Sequence, residues 1–415
     1  MKTLHLALVG VLSISTLGAH ENKNAEKFET EHSVRDVVKN IVHTNNDNSS
    51  MVALGKLSGQ IRTMYVGYHQ HATADTYATA IGAFLDYESM HYKGFNLGAE
   101  LEISQDLNFA SGERNLGKNN PELSSTDGKY TELSQAYLNY KYDNLDIIVG
   151  RMLIDTPLAD SDDIFMIHNT FSGAVASYEY KDATFMVGHL SKWQGTDAGL
   201  DEPWVKTSDS GTNFGGISYT GDLEFNVWYY NITKVTNALY GDIGYTYHLN
   251  SATDLHGGMQ YLHEKELSGS GIKADIYGAY GEAIIGNATL TLAYNYAAKN
   301  QGKDSFSGLG GGTLYTNTEK AILNDITNDR SASAFVAGVA YTINDVNLLY
   351  AYGDFDGNAD SFGIEKHIVE QDIIVDYTYN DFVLSLTHSI SQDRKNAAKT
   401  SDDWERTQVF IAYNF

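Results

Sequence analysis

The residues of this sequence best suited to chemistry are carboxylates at alternate positions. Glu100 and Glu102 are separated by one residue, and so are Asp86 and Glu88. Because alternate side chains of a β-strand point to the same side, each pair would place two carboxylates on one face. Paired carboxylates can activate a water for hydrolysis, and beside a water-filled channel they attract cations and repel anions. The elements that carry them decide between these chemistries.

Histidine could supply the base of an enzyme, but its pattern argues against catalysis. A hydrolytic site needs a nucleophile with a base beside it. The chain has no cysteine, and neither His69-Gln70-His71 nor Glu365-Lys366-His367 has the spacing of a metal site. Other histidines stand singly in strand-like segments, namely His189, His248, His256, His263 and His388. We therefore predict no catalytic residues and no enzyme activity.

One acidic run clusters the hard oxygen ligands that Ca²⁺ prefers, namely Asp160-Ser161-Asp162-Asp163. Such a run is also typical of a solvated loop, and we favour that interpretation. The sequence therefore predicts no cofactor and no bound metal, with calcium at this run as the alternative.

Composition narrows the class of protein. The 415 residues include 28 Lys and Arg against 53 Asp and Glu, which gives a formal net charge of −25. This acidity argues against nucleic acid as a partner, because phosphates require a basic surface. The chain contains 3 Pro, 38 Gly and 29 Tyr. Few prolines with many glycines and tyrosines suit long strands joined by polar turns, because proline cannot donate to a sheet ladder.

The amino terminus predicts export. Lys2 is followed by an apolar run from Leu4 to Leu17 that ends in small residues at Ala19. This order is typical of a secretory signal peptide over residues 1–19, and the run is too short for a membrane-spanning helix. Residues 20–54 are polar, with apolar residues at near-helical spacing. They predict a short amphipathic helix in an N-terminal extension.

From Gly55 onward the hydrophobic period is two. In Phe95–Ile103, odd positions are apolar and even positions are polar or small. The alternating segments are mostly about 9–13 residues long, which is the length of a tilted strand that crosses a bilayer. Tyrosines lie at segment ends, as at Tyr87, Tyr142, Tyr180 and Tyr350, where a membrane barrel has its aromatic girdles. Residues 55–415 therefore predict an all-β antiparallel transmembrane barrel rather than a soluble β-fold.

The segments number eighteen, and sixteen stays open because 145–152 and 273–283 alternate poorly. Short turns alternate with long polar insertions, the pattern of a barrel with tight periplasmic turns and long outer loops. A barrel of this size is wide enough for an aqueous channel. We predict strands at 56–68, 76–90, 94–104, 132–142, 145–152, 173–181, 184–192, 213–220, 222–233, 238–249, 254–264, 273–283, 287–298, 333–343, 345–353, 367–379, 381–390 and 405–415.

The last strand carries a recognisable terminal pattern. Val409, Ile411, Tyr413 and the final residue Phe415 share one face. A terminal phenylalanine after alternating apolar residues resembles the assembly signal of bacterial outer-membrane barrels. We assign these four residues that role.

Several segments together resemble the OprD-type family of bacterial outer-membrane porins, which includes proteins like the major outer-membrane protein. The resemblance covers residues 55–415 and is strongest over 130–175. It rests on Ser58-Gly59-Gln60-Ile61-Arg62, Tyr137-Leu138-Asn139-Tyr140, Gly150-Arg151, Thr156-Pro157-Leu158-Ala159, Asp163 and Asn169-Thr170-Phe171.

The resemblance implies an eighteen-stranded channel whose third loop folds inward and narrows the pore. It places Asp155, Asp160, Asp162, Asp163 and His168 at the constriction, with His168 where the family usually has proline. Many members also carry a ladder of lumenal arginines that guides carboxylate substrates. This chain has only seven arginines, of which Arg62, Arg151 and Arg406 are placed to face the lumen.

Assigning the polar face of each strand to the lumen gives an acidic pore. The predicted lumenal acids are Asp86, Glu88, Glu100 and Glu102, with Glu224, Asp242, Asp372 and Asp376. Carboxylates around a narrow channel raise the local concentration of cations. We therefore predict a weakly cation-selective porin for passive diffusion of ions and small hydrophilic solutes. An adhesin or structural anchor, or a carboxylate-selective channel as in many relatives, are the alternatives.

These predictions also imply a location and a set of partners for the protein. The expected location is the bacterial outer membrane, and the expected partners are its lipids, lipopolysaccharide, the barrel-assembly machinery, ions and small hydrophilic solutes. The assembled form is left open between a monomer and a homotrimer.

Overall fold

A computed structural model describes residues 55–415 except Ile164, Pro203, Asp222 and Ala397. The predicted signal peptide and amphipathic helix lie outside these residues. Eighteen long strands make up the fold. They are β1 (Gly55–Gln70), β2 (Thr76–Ser89), β3 (Phe95–Leu107), β4 (Lys129–Tyr142), β5 (Leu145–Met152), β6 (Thr170–Tyr180), β7 (Ala183–Gln194), β8 (Thr212–Thr220), β9 (Leu223–Ile232), β10 (Thr236–Asn250), β11 (Thr253–Glu266), β12 (Ala274–Ile285), β13 (Ala288–Ala297), β14 (Ala332–Ile343), β15 (Val346–Gly357), β16 (Lys366–Tyr379), β17 (Phe382–Asp393) and β18 (Trp404–Asn414).

The strands form one closed antiparallel barrel. Each strand pairs with its neighbour in the sequence, and β18 returns to pair with β1 from Gln60↔Asn414 to Gln70↔Trp404. The predicted count of eighteen is confirmed, and no strand boundary differs from its prediction by more than four residues. Closure leaves no long edge unpaired among the described strands, which is the condition for a sheet to lie in lipid.

The barrel has an apolar outside and a polar inside. On β3, Leu97 is 56% exposed whereas Glu102 is fully buried, and the same alternation runs along most strands. Exposed aromatic side chains ring the rim that carries the tight turns, among them Tyr87, Tyr142, Tyr180, Tyr247 and Tyr379. An outward apolar band with aromatic girdles matches a bilayer, so the predicted membrane orientation of the strands is confirmed.

The two rims differ as the sequence predicts. Turns of two residues join β4 to β5, β6 to β7 and β14 to β15, and the long loops 108–128, 153–169, 195–211 and 298–331 lie at the other rim. These loops hold short elements that the periodicity does not reveal, such as the hairpin Asp155–Thr156 with Ala159–Asp160 and the 3-10 turns Arg114–Leu116 and Leu323–Ile326. Within 55–415, no described helix has the length and apolar character to span a membrane.

The interior of the barrel is packed where these loops enter it. One buried cluster joins Met64 and Val66 of β1 to Leu123 of loop 108–128 and to Phe165 and Met166 of loop 153–169. A second cluster joins residues of loops 153–169 and 298–331 to the inner face of β5–β16. The loops are therefore held inside the lumen by burial of their apolar side chains.

Candidate functional site

Loop 153–169, called the inward loop below, crosses the barrel. It leaves β5 and turns at a small hairpin whose backbone pairs with loop 298–331 through Asp160 N to Leu309 O (3.1 Å) and Leu309 N to Leu158 O (3.0 Å). The Tyr230 hydroxyl of β9 accepts from Leu158 N at 3.3 Å. At its other end the loop contacts β1, β2 and β3. The third loop therefore folds into the lumen, as the resemblance implies.

Arg62 of β1 holds the inward loop from the opposite wall. Its Nη1 and Nη2 donate to Asp163 Oδ1 and Oδ2 at 2.6 and 3.1 Å, and Nη1 also donates to the Phe165 carbonyl at 2.8 Å. The guanidinium lies 3.8 Å from the centre of the Phe84 ring. Burial would raise the pKa of Asp163, but the Arg62 charge outweighs it and holds that pKa below its usual value. The negative charge of Asp163 is thus balanced by Arg62.

His168 contacts two carboxylates of β3. Its Nε2 lies 3.0 Å from Glu100 Oε1 and 2.9 Å from Glu102 Oε1, and all three side chains are buried. The edge of its ring packs against Phe84. Burial would lower the pKa of His168, but the Glu102 and Glu100 carboxylates outweigh it and raise that pKa well above its usual value. The inward loop therefore ends on a buried acidic patch of the wall.

Asp160 and Asp162 form no ion pair with a lysine or arginine among the described residues. Burial first, and then the neighbouring carboxylates of Asp155 and Asp162, raise the pKa of Asp160 well above its usual value. Burial, together with Asp197 and Asp163, raises the pKa of Asp162 to about 7. The Asp162 carboxyl group therefore changes charge close to neutral pH.

A second set of contacts joins two other loops inside the barrel. Glu122 of loop 108–128 lies 2.9 Å from Lys320 Nζ of loop 298–331 and 3.4 Å from Arg406 Nη2 of β18. The Tyr68 hydroxyl donates to the same carboxylate at 3.0 Å. Burial would raise the pKa of Glu122, but Arg406 and Lys320 outweigh it and lower that pKa. Sequence analysis missed Glu122 and Lys320 because they lie in loops, where no periodicity indicates direction.

Buried acids outnumber buried arginines on the inner face of the described strands. Arg62 and Arg406 are the two buried arginines there, and each is engaged by a loop carboxylate. The buried strand acids are Glu100, Glu102, Glu264, Glu282, Glu370, Asp372 and Asp376. The inner face of the described strands is thus richer in buried acidic than in buried basic side chains.

Most of the predicted lumenal residues face inward. Asp86 lies directly opposite Glu100 in the β2–β3 register, and Glu88 accepts a hydrogen bond from Asn96 Nδ2 at 2.8 Å. The structure also places inside the barrel Arg62, Glu100, Glu102, Arg406 and the described residues of the inward loop. Asp155 is the exposed member of that loop, in the hairpin pair with Asp160.

Arg151 is the exception. It pairs with Ala136 in the β4–β5 register, on the outward face next to Leu138, whereas the sequence placed it in the lumen. Its Nη1 donates to Leu133 O at 2.8 Å and lies 3.1 Å from Glu132, and its guanidinium packs against the Trp204 ring. Val149, two residues earlier on β5, is 51% exposed, whereas the next residue Met152 is buried, so the alternation of β5 itself places Arg151 on the outer face.

The terminal residues occupy the seam of the barrel. Val409, Ile411, Tyr413 and Phe415 share the outward face of β18 and its end, because Phe410 and Ala412 between them are buried inside. Backbone hydrogen bonds of 2.9 Å run both ways between Phe415 and Gly59. The final residue therefore completes the β18–β1 pairing.

No protein-family model and no curated relative matches this sequence. Solved structures do match over most of the chain. Pseudomonas aeruginosa OpdK with vanillate has a TM-score of 0.73 at 16% identity and covers 86% of this chain and 98% of its own. Acinetobacter baumannii OccAB4 has a TM-score of 0.74 at 16% identity over 86% and 97%, and Pseudomonas aeruginosa OpdQ has 0.70 at 15% over 87% and 97%.

These neighbours are outer-membrane channels of the OprD family. The chain has their fold. The resemblance predicted from the sequence is thereby confirmed at the level of architecture, although the identity is too low to carry any residue's role across.

Proposed function

We propose that the chain is an outer-membrane porin for passive diffusion of ions and small hydrophilic solutes, with a weak preference for cations. The observation that carries this proposal is a closed eighteen-stranded barrel with a polar inner face and an inward loop that narrows it. A barrel of this size is wide enough for an aqueous channel, and loops inside such a channel set its constriction.

The balance of fixed charge supports cations over anions. Arg62 is matched by Asp163 and Arg406 by Glu122, whereas Asp160 and Asp162 of the inward loop lie beside further carboxylates. Fixed carboxylates concentrate cations in a narrow channel. Charges on the outer loops contribute less, because salt screens them beyond about 8–10 Å.

A carboxylate-selective channel is the less favoured function. One neighbour of the same fold was solved with vanillate, which is a carboxylate. In this chain the two buried arginines of the strands already bind carboxylates of the protein, so an incoming anion would have to displace Asp163 or Glu122.

The remaining alternatives differ in conductance. An adhesin or structural anchor would need only the outer loops, and an enzyme would need a catalytic site but no open lumen. The proposed partners are outer-membrane lipids, lipopolysaccharide and the barrel-assembly machinery, with a homotrimer as one candidate assembly. A planar bilayer separates the functions, because a porin conducts in discrete steps.

The test is the reversal potential of the purified protein in a KCl gradient. For the wild type we expect a reversal potential of the sign given by K⁺ permeation. For the double variant Asp162→Asn with Asp163→Asn we expect a reversal potential of smaller magnitude. The double variant removes two carboxylates, and the loss of Asp163 also leaves the charge of Arg62 without its partner, so both changes act in the same direction. Glu365→Gln is the matched control, because Glu365 is exposed on an outer loop beside Lys395. A potential of the anion sign in the wild type would overturn the selectivity, and absence of any conductance would overturn the porin.

A further inference from the structure

The proposed function does not explain the cluster that His168 forms with two carboxylates. His168 of the inward loop and Glu100 and Glu102 of β3 bring one nitrogen and two oxygens within 4.8 Å of one another, and all three side chains are buried. Asp86 of β2, which is partly buried, lies opposite Glu100 on the same inner face. One imidazole thus meets two buried carboxylates, with a third carboxylate nearby.

The polar atoms of this patch are incompletely satisfied. The two contacts of His168 Nε2, at 3.0 and 2.9 Å, lack the geometry of hydrogen bonds, and both oxygens of Glu102 are buried without a hydrogen-bond donor among the described residues. Glu100 Oε1 accepts from Ser134 Oγ at 2.8 Å. Buried carboxylate oxygens without donors are costly, so the arrangement calls for a cation between them.

The charged groups around the patch indicate the charge of that cation. Arg62, the nearest guanidinium, is committed to Asp163, Gln60 and the Phe165 carbonyl. Both oxygens of Glu102 are buried without a hydrogen-bond donor among the described residues. A divalent cation would match the charge of the two carboxylate ligands, Glu100 and Glu102.

We propose that His168, Glu100 and Glu102 bind a divalent first-row metal ion, with Zn²⁺ as the preferred ion. An imidazole nitrogen with two carboxylate oxygens is a donor set that suits Zn²⁺, whereas Mg²⁺ and Ca²⁺ prefer oxygen ligands alone. Tetrahedral bonds of about 2.0–2.2 Å hold neighbouring ligand atoms about 3.3–3.6 Å apart. The two contacts of Nε2, at 3.0 and 2.9 Å, are shorter than that, so the side chains would move apart by a few tenths of an ångström to admit the ion.

The ion joins two parts of the molecule. Its histidine ligand is on the inward loop and its carboxylate ligands are on the barrel wall, so binding fixes the end of the loop next to Asn169 and β6. The site lies behind the loop rather than on its exposed side. This inference concerns metal binding alone and does not depend on whether the barrel conducts.

The test uses the full chain, purified in detergent, shown to be folded by its faster migration without boiling, and stripped of metal with a chelator. Calorimetric titration with ZnCl₂ is expected to show one ion bound per chain, with CaCl₂ and MgCl₂ binding more weakly. His168→Gln and Glu102→Gln are each expected to lose this binding.

Two control variants separate this site from other sources of binding. His69→Gln removes an exposed histidine that lies beside Asp75 and His71, and Glu264→Gln removes a buried lumenal carboxylate that already accepts hydrogen bonds from Ser305 and Phe306. Both are expected to retain the bound Zn²⁺. Absence of one-to-one binding in the wild type, or equal binding by His168→Gln, would overturn the proposal.

A measurement on the wild-type protein tests the site even if the variants fail to fold. X-ray absorption at the zinc edge is expected to show one imidazole nitrogen with oxygen donors around the ion. A shell with two or more imidazoles would assign the ion to a histidine cluster elsewhere and would overturn the site.

Discussion

Arg62 on β1 and Asp163 in the inward loop form a two-bond ion pair, with Nη1–Oδ1 at 2.6 Å and Nη2–Oδ2 at 3.1 Å. The arginine is buried, stacks on Phe84 and also holds the Phe165 carbonyl. A planar guanidinium that binds both oxygens of a carboxylate fixes distance and orientation together. This pair is therefore the main polar link between the inward loop and the wall it faces.

Replacing Arg62 with Gln is expected to loosen the inward loop without unfolding the barrel. Asp163 would lose its counterion, and hydrogen bonds to charged groups contribute about 1.5–3 kcal/mol each when they are buried. We expect noisier single-channel currents with more substates, measured in a planar bilayer, and unchanged heat-modifiable mobility on a detergent gel.

Lys395→Gln is the control for the Arg62 variant. Lys395 pairs with Glu365 at 2.7 Å on the outer surface, where an ion pair is worth about 0–1 kcal/mol. Its currents should equal those of the wild type. If Arg62→Gln also leaves the currents unchanged, the ion pair does not position the loop.

The cation preference is expected to increase as pH rises through 7. The pKa of Asp162 is raised to about 7, so its carboxyl group is largely protonated and neutral in acid. Above pH 7 it ionises and adds negative charge to the constriction. Reversal potentials in a KCl gradient at about pH 6, 7 and 8 measure this change.

The Asp162→Asn variant should show a smaller change with pH, because the carboxyl group whose pKa lies near 7 is gone. Glu365→Gln should keep the full change, since the pKa of exposed Glu365 is lowered by Lys395 and the group stays ionised throughout this range. A wild-type potential that is flat from pH 6 to 8 would show that the Asp162 carboxyl group does not line the ion path.

Glu122→Gln is expected to reduce the cation preference as well. Glu122 lies between Arg406 and Lys320, and its removal leaves two cations in the lumen without their shared partner. The reversal potential should move towards the anion side. Glu365→Gln is again a matched control, because it neutralises a glutamate that pairs with a lysine outside the lumen. An unchanged potential for Glu122→Gln would place this cluster off the ion path.

The strands could be predicted from the sequence because lipid and lumen impose opposite chemistry on alternate residues. In β3 and β18 every second side chain faces an apolar solvent, so the period of two survives along the whole strand. Arg151 shows the limit of this rule, because its strand β5 alternates poorly in the sequence and Arg151 shares the outward face of Val149.

The contacts inside the barrel were less accessible to sequence reasoning. The inward loop was expected only from a resemblance, and its partners Arg62 and Glu102 lie more than sixty residues away in the sequence. Glu122 and Lys320 meet across two long loops whose path is set by burial of side chains such as Leu123 and Leu323. Such long-range packing has no local signature.

Deleting Phe415 is expected to lower the amount of folded barrel in the outer membrane while export across the inner membrane continues. The deletion removes the two 2.9 Å backbone hydrogen bonds to Gly59 and the last outward aromatic of the β18–β1 seam. It also removes the terminal residue of the pattern that we assign to assembly. The heat-modifiable fraction in membrane extracts, measured against total protein, reports the result.

Phe95→Ala distinguishes assembly from simple loss of lipid contact. Phe95 is an outward aromatic near the same rim, 46% exposed and packed against Tyr140, but it lies far from the seam. Phe415→Tyr keeps the aromatic ring and the backbone pairing and should assemble normally. We expect Phe95→Ala to fold nearly as well as the wild type, because only one of many outward aromatics is lost. If it lowers the folded fraction as much as the deletion does, the terminus acts as ordinary lipid-facing surface and the assembly role is wrong.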